Sequence, residues 1–407
     1  METPSLARNR RFWLFWGGQS LSKVGDKLHY IALMWFVVNR TESGMAMGGV
    51  LLASSLPIVL FAPKAGALID QLNRKWLLAG ADLLRAAAAL GIGWTASSSG
   101  PVNYPLLLLF TALMAAGTAL FQPALNALLP MLVRDEDLLR ANSVNESASQ
   151  LAGLAGPVLA GLFLTFAEPH IVFYLNALSF VVGAAAVLPL TAGKPSQAKQ
   201  GRSGGGFKEG LRWLLGQPAL RDLALTFAVL NFAVSFMEVY IPFLSKDGFG
   251  GGPQELGLIF SAIFAGALLA SLGLLLKKDI KQHEKVIGGS ISLMGLAFAA
   301  IFVFRERHAA LCLFLLVGIG WGTFGATSRV FMQKTVEDQR RGRVFALISA
   351  LSNLMMPLAY GLAGLATSVL PVYPAFLLGG LLVLASGLYL FSRKYHYAKC
   401  QCAAQSA

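Results

Sequence analysis

Apolar residues recur along this chain in twelve long stretches, over residues 12–38, 46–69, 76–97, 104–127, 141–167, 171–190, 219–245, 254–276, 286–304, 309–333, 343–369 and 372–391. A helix needs about 20 mostly apolar residues to cross the hydrocarbon core of a bilayer. Each stretch is about that long or longer, and the polar intervals between them are short. The pattern predicts twelve membrane-spanning helices, hence an all-α membrane protein. The longest polar interval, residues 191–217, is rich in Gly, Ser, Lys and Gln and reads as a flexible linker. Its last part, Phe207 to Leu215, has the spacing of an amphipathic helix on a membrane surface, with Lys208 and Arg212 toward the headgroups. Six spans stand on either side. The chain therefore divides into an N-terminal six-helix bundle (1–190), a cytoplasmic linker with its amphipathic helix (191–217), and a C-terminal six-helix bundle with a short cytoplasmic tail (218–407).

The two halves repeat one plan. Arg11 precedes Asp26 in the first span of one half, and Arg221 precedes Glu238 in the first span of the other. In the fifth spans, Gly161 follows Pro157 by four positions and Gly361 follows Pro357 by four. Such parallel repeats are a known way of building transporters.

Charge then orients the spans. Basic residues gather on alternate turns: Arg8, Arg10 and Arg11, then Arg74 and Lys75, Arg134 and Arg140, the 191–217 linker, Lys277 to Lys285, Lys334 to Arg343, and the tail. The intervening turns hold only Arg40, Lys246, Arg305 and Arg307. Positive charge stays cytoplasmic, so both termini are expected inside. The net charge of +13 is thus a topology signal, and no nucleic-acid partner is implied. Composition agrees, with 56% hydrophobic and 13% charged residues, about half the charge of a soluble domain. Cys312 in a span and Cys400 and Cys402 in the tail offer no disulfide framework. The string Gly320 to Gly325 spells G-x-G-x-x-G, but it lies inside an apolar span with no strand before it, so it is no dinucleotide site. No Walker A loop, metalloprotease His pair or nucleophile elbow is present. No enzyme activity, cofactor or metal site is read from the chain.

Three motifs carry a resemblance. The turn after span two reads Gly66-Ala-Leu-Ile-Asp70-Gln71-Leu-Asn73-Arg74-Lys75, and span five contains Gly153-Leu-Ala-Gly156-Pro157 followed by Gly161. The stretch Phe121-Gln-Pro-Ala-Leu-Asn-Ala-Leu-Leu-Pro130, with Gly80-Ala-Asp82-Leu-Leu-Arg85 and Gly342-Arg-Val-Phe345, completes the set. Together they resemble the exporters of the major facilitator superfamily, and within it the branch of macrolide-efflux proteins and the enterobactin exporter. The resemblance covers nearly the whole chain and implies the major facilitator fold, two six-helix bundles working by alternating access with a site at their interface. It also implies conformational roles for Gly66, Asp70, Arg74 and Lys75 at the inner turn, and for Gly156 and Pro157 in span five. Gln71 and Asn73 depart from the signature's usual Arg and Gly. Many proton-coupled members carry an Arg in span four, on the face that here holds Thr111 and Gly117. This span has no Arg between Tyr104 and Asn126.

Charged side chains inside spans are costly, so each one is a functional candidate. Span one holds Gln19, Ser22, Lys23, Asp26, Lys27, His29 and Tyr30. Spacings of 3, 4 and 7 put Lys23, Asp26, Lys27 and Tyr30 on one stripe, which must line a cavity or another helix. Span seven offers Asn231, Ser235 and Glu238 at spacings of 4 and 3. Asp26 and Glu238 are the expected proton-coupling acids, facing one cavity from the two halves. Lys23, Lys27, Tyr30, Asn231, Ser235, Trp321 and Met356 are the expected substrate contacts. The bland alternatives are an ion pair of Asp26 with Lys23 or Lys27, and ordinary packing for Trp321 and Met356. Glu146 is an inner-gate acid or a cap, and Asp82 with Arg85 reads as an intrahelical pair supporting the Asp70 turn.

The expectation is a secondary active efflux transporter in the bacterial inner membrane, a monomer whose partners are a small-molecule substrate, protons and membrane lipid. Its substrate would be an amphipathic organic compound, such as a macrolide-like drug or a lipophilic cation, exchanged for protons. Two alternatives stay open. Lys23 and Lys27 would suit an anionic metabolite such as a siderophore, and Asp26, His29 and Glu238 would suit a divalent metal.

Overall fold

A helix in lipid satisfies its backbone N–H and C=O groups within itself, and every apolar run of this chain takes that form. The computed structural model describes residues 5–190, 207–276, 282–336 and 338–393, with backbone alone over 62–71, 207–210, 338–341 and 343. Cys400, Cys402 and most of the linker lie outside the described residues. The helices are α1 (Arg10–Thr41), α2 (Gly44–Gln71), α3 (Arg74–Ser97), α4 (Tyr104–Leu132), α5 (Leu138–Phe166), α6 (Pro169–Val187), α7 (Phe207–Gly216), α8 (Pro218–Phe243), α9 (Pro253–Leu275), α10 (His283–Ala300), α11 (Arg307–Thr335), α12 (Asp338–Ala366) and α13 (Val372–Ser392). No strand occurs among the described residues. All but the short α7 match the twelve predicted spans one for one. Ten are apolar and long enough to cross a membrane on composition alone. The other two are α1, which carries Lys23, Asp26 and Lys27, and α10, which opens on His283-Glu284-Lys285.

The helices gather into two compact units. The first holds α1 to α6 together with Ser245–Ser261; the second holds α7, α8, the rest of α9 and α10 to α13. In the first unit α1 packs on α5 and α6, α3 on α4 and α6, and α2 on α4. In the second, α8 packs on α12 and α13, and α10 on α11 and α13. Gly266 of α9 lies against the backbone of Leu315 and Ile319 in α11, which adds the remaining pair. Each contact in one unit thus has its counterpart in the other, so the internal repeat extends from sequence to packing.

Prolines shape several helices without ending them: Pro123 and Pro130 in α4, Pro157 in α5, Pro242 in α8 and Pro357 in α12. Each removes one backbone donor and leaves a carbonyl one turn earlier without its helical partner. The chain start is pinned to the turn between α4 and α5. Asn9 caps α1 by accepting from the Phe12 N–H at 3.0 Å and donates to the Leu132 carbonyl at 2.7 Å. The Leu6 N–H donates to Asp137 Oδ2 at 2.9 Å. Below this tie, Phe12, Phe15, Leu77, Phe121, Leu125 and Leu128 form one apolar cluster.

Candidate functional site

In the first unit the polar residues of α1 do not share one partner. Lys23 turns to α5 and donates to the Asn145 side chain at 2.6 Å and its carbonyl at 3.0 Å. Gly156 of α5 lies directly against the stem of Lys27, where any Cβ would collide. Tyr30 meets Phe260 edge to face at 5.8 Å. Asp26 turns the other way, toward α3, where its Oδ2 lies 3.6 Å from Arg85 Nη1. Of the two lysines in the bland alternative, Lys23 is thus engaged by α5.

Arg85 is the centre of the arrangement. Its other Nη contacts Asp82 Oδ1 on the preceding turn of α3. The second oxygen of Asp82 accepts from Gln19 Nε2 at 3.2 Å, which ties the pair to α1. The guanidinium sits 3.9 Å from the ring of Phe121 in α4 and 4.4 Å from that of Phe180 in α6. Stacking on two aromatic faces stabilises a cation taken out of water. Arg85 is 2% exposed and Asp82 fully buried, while the side chain of Asp26 keeps 36% of its surface open. Arg85 and Asp82 form the expected intrahelical pair and support the core of the bundle at α1, while the side chain of Asp70, whose turn they were expected to brace, lies outside the described residues. Removing one member of a buried pair costs about 3–5 kcal/mol, because the other charge is left unmatched.

Small residues make this convergence possible. A Cβ on Gly117 of α4 would stand 2.7 Å from Arg85 Cγ, so this glycine is the gap that admits the arginine. A Cβ on Gly183 of α6 would meet Ser22 Oγ at 2.9 Å and Asp82 Oδ2 at 3.1 Å. Ser22 in turn donates to the Ser179 carbonyl of α6 at 2.9 Å. Sequence reasoning saw that span four lacks an arginine. It missed that α3 supplies one to the same face of α4.

In the second unit Glu238 of α8 accepts from the Tyr360 hydroxyl of α12 at 2.5 Å. Ser235 and Tyr360 are buried, whereas Glu238, Asn231 and Met356 are half-buried. Asn231 donates to the Phe227 carbonyl of its own helix at 2.9 Å. Phe232, Phe236 and Tyr240 form an aromatic ladder along α8 with ring centroids 6.2 and 5.6 Å apart. Trp321 is 40% exposed, with its ring 6.3 Å from that of Phe324. Near the start of α8, buried Asp222 takes Arg221 at 3.0 Å and Arg393, beyond the end of α13, at 3.5 Å. No motif pointed to that junction.

The conformational residues fall at helix ends and crossings. Asn73, where the signature has Gly, caps α3 by accepting from the Lys75 N–H at 3.0 Å. Arg74 donates to the Ala127 carbonyl of α4 at 3.1 Å, and Lys75 to the Leu188 carbonyl after α6 at 2.5 Å. The side chain of Asp70, and the surroundings of Gly66, lie outside the described residues. Glu146 accepts from Gln150 at 3.0 Å on its own helix face. Gly161 and Pro157 line the crossing of α5 with the first turns of α9. There the Ser261 hydroxyl donates to the Leu154 carbonyl at 3.1 Å and Gln254 to Thr165 Oγ1 at 3.1 Å.

Glu42 and Glu306 are among the carboxylates outside the spans. Glu42, just past α1 at a left-handed φ of 50°, accepts from Lys246 at 2.7 Å, which holds it below the usual carboxylate range. Glu306 caps α11 by accepting from the Ala309 N–H at 2.9 Å. That bond and His308 bring it down to about 2. His29, a member of the expected metal set, packs its ring 4.8 Å from Phe173. Among the described residues, no group of three or more His, Cys, Asp or Glu is gathered to hold a metal.

The sequence profile of the Major Facilitator Superfamily matches residues 15–360. Macrolide efflux protein A of Streptococcus pyogenes is 26% identical over 389 residues, covering 92% of this chain and 93% of that protein. Multidrug efflux pump Tap of Mycobacterium bovis is 26% identical over 377 residues, covering 90% of each. Among solved structures, an inward-facing bacterial homologue of the iron transporter ferroportin superposes with a TM-score of 0.74 at 18% identity, covering 96% of this chain and all of that one. A nucleoside transporter superposes with the same score at 12% identity, covering 95% of this chain. At such identities the structures speak for the fold alone.

Proposed function

Because the chain belongs to the Major Facilitator Superfamily, a family of multi-pass membrane transporters and not of enzymes, we propose that it is a secondary active exporter exchanging an amphipathic organic compound for protons. The bacterial inner membrane is its proposed place, with both termini on the cytoplasmic side. The carrying observation is Asp26. It is a carboxylate in the middle of a long helix, open over a third of its surface yet held by a buried arginine. A carboxylate so placed can take up a proton and give it back without the helix unfolding, which is what coupling requires. Glu238, held by Tyr360, is the proposed second acid.

The substrate class follows from the relatives and from side chains of α8 and α12, the helices that hold Glu238 and Tyr360. Two efflux proteins, one named for macrolides and one for multiple drugs, align over at least nine-tenths of the chain. Aromatic and sulfur side chains, such as the Phe232–Tyr240 ladder and Met356, suit a bulky amphipathic ligand. The anionic alternative rests on Lys23 and Lys27, and the ammonium of Lys23 is already engaged by Asn145. The metal alternative loses His29 to packing against Phe173.

The test is proton movement in proteoliposomes carrying an imposed pH gradient, on adding macrolides, lipophilic dyes or catecholate siderophores. Flux on adding macrolide or dye, lost in Asp26→Asn or Glu238→Gln, is the expected result. Flux with siderophore alone would move the substrate class to anions. Substrate transport with no proton movement would refute proton antiport.

A further inference from the structure

Asp26 does not own its arginine. Arg85 stands between two carboxylates, in contact with Asp82 and 3.6 Å from Asp26. Asp82 is the fixed partner: it is fully buried, on the same helix, and its other oxygen is held by Gln19 at 3.2 Å. Asp26 is the looser one, farther away and a third exposed. The guanidinium cannot swing freely. Phe121 and Phe180 hold its two faces, and Gly117 leaves room for its stem on the α4 side only because there is no Cβ.

Resting on the proposed role of Asp26 in coupling, the geometry points to Asp82 and Arg85 as positioning residues that set the pH at which Asp26 exchanges its proton, through competition of the two carboxylates for one sandwiched guanidinium. A nearby cation favours the ionised form of a carboxylate, and a nearby anion disfavours it. With Asp82 holding Arg85, Asp26 receives only part of the cation and all of the repulsion of Asp82. When Asp26 takes a proton, Arg85 goes wholly to Asp82. The buried set then holds one ion pair and one neutral acid, with no charge left over and no rearrangement of the backbone. When Asp26 loses its proton outward, the guanidinium is shared again.

α5, α6 and the start of α9 also pack against α1. On α1 itself the basic neighbours are Lys23 and Lys27. His29 is turned onto Phe173, and Tyr30 onto Phe260. From α5 the charged group is Glu146. From α6 come Asn176 and Ser179, and from the start of α9 Phe260 and Ser261, none of which titrates below the alkaline range. Asp82 and Arg85 are therefore the charged pair that faces Asp26 from a neighbouring helix.

The test uses the purified full-length protein in lipid nanodiscs, with no substrate added. Difference infrared spectroscopy follows the protonated-carboxyl band through a pH titration, in wild type, Asp26→Asn, Asp82→Asn and Arg85→Lys. Loss of one titrating component in Asp26→Asn assigns that component. In Asp82→Asn the whole guanidinium falls to Asp26, and the midpoint of the component moves to lower pH by about one unit or more. In Arg85→Lys a single ammonium follows Asp82, and the midpoint moves to higher pH. Arg85→Lys keeps the charge, so it carries the test if Asp82→Asn does not fold. A component lost in Asp26→Asn but unmoved in both other variants overturns this inference and leaves the coupling role standing. If Asp26→Asn removes no titrating component, the coupling role of Asp26 falls, and this inference with it.

Discussion

Replacing Gly161 by alanine adds one methyl group at the crossing of α5 and α9. Its position is fixed by the backbone, 2.7 Å from the Pro253 carbonyl oxygen and 2.9 Å from Gln254 Cα. Ordinary contact begins near 3.4 Å, so the helices must separate by about 0.5–0.7 Å at this point. The obstructing atoms are backbone, and no side chain can swing aside. A gap of that size forfeits a quarter to a half of each dispersion contact around it, and it lengthens the Ser261–Leu154 and Gln254–Thr165 hydrogen bonds, both 3.1 Å. Overpacking of this kind costs about 1–3 kcal/mol, against a gain of about 1 kcal/mol from exchanging glycine for alanine in a helix. The net loss is about 0–2 kcal/mol, which lowers Tm by up to roughly 8 °C at the usual 2–4 °C per kcal/mol. Gly17→Ala is the internal control. That position has nothing within 4 Å of the added atom, so only the helix-propensity gain applies and Tm holds or rises. The assay is thermal unfolding of both variants in the same detergent, followed by intrinsic fluorescence. Equal shifts in the two variants would refute the reasoning, since they would show that the close crossing carries no energy.

Other expectations follow from the same contacts. Asn73→Ala removes the cap of α3 and costs about 1 kcal/mol, read as a Tm loss of a few degrees, with Asn73→Asp restoring it. The Glu42–Lys246 pair is present above the ordinary carboxylate range and is lost as pH falls through the depressed value of Glu42. A cysteine placed at Asp247 should therefore react faster with a maleimide in acid than at neutral pH, and Lys246→Gln should abolish the difference. Glu306, held near 2, stabilises the start of α11 above about pH 4.5, and that help fades between 4.5 and 2. Glu306→Ala should then melt below wild type at pH 7, with the two curves converging in strong acid. Tyr360→Phe removes the donor to Glu238 at 2.5 Å. It is expected to shift the pH profile of transport while leaving expression intact; an unchanged profile would separate Tyr360 from coupling.

The helices were legible because a bilayer writes them into the sequence as long apolar runs. Even the two helices that fall short on hydropathy, α1 and α10, were found, since their polar residues interrupt runs that are otherwise complete. The packing partners were legible only as a repeat of spacings. The site was legible in part. Asp26 and Glu238 stood out because a charge in an apolar run is costly wherever it points. Their partners did not. Spacing along one helix reveals neighbours three or four residues away, and so it suggested Lys23 and Lys27. Arg85, 3.6 Å from Asp26, lies on another helix and is brought close only by α3 packing on α4 and α6. The glycines at 117 and 183 were the available signal, small residues facing a large buried cation, but a glycine in a membrane helix has many other reasons to be there. Tyr360 gives no such signal, because nothing in its own helix marks it as the partner of an acid.

The fit of Arg85 against Gly117 has a consequence for divergence within the family. A bulky residue at position 117 and an arginine at position 85 exclude each other, since the stem of one occupies the space of the other. The cation can pass from α3 to α4 only through a form that has lost one before gaining the other, and such a form leaves Asp82 buried without a counter-charge. Lineages are therefore expected to keep either the arginine of α3 with glycine in α4, or a side chain in α4 with the α3 pair dismantled, and few should hold a mixture. A count of residue pairs at these two positions across related chains would show whether the exchange was open to gradual drift or crossed in rare, paired steps.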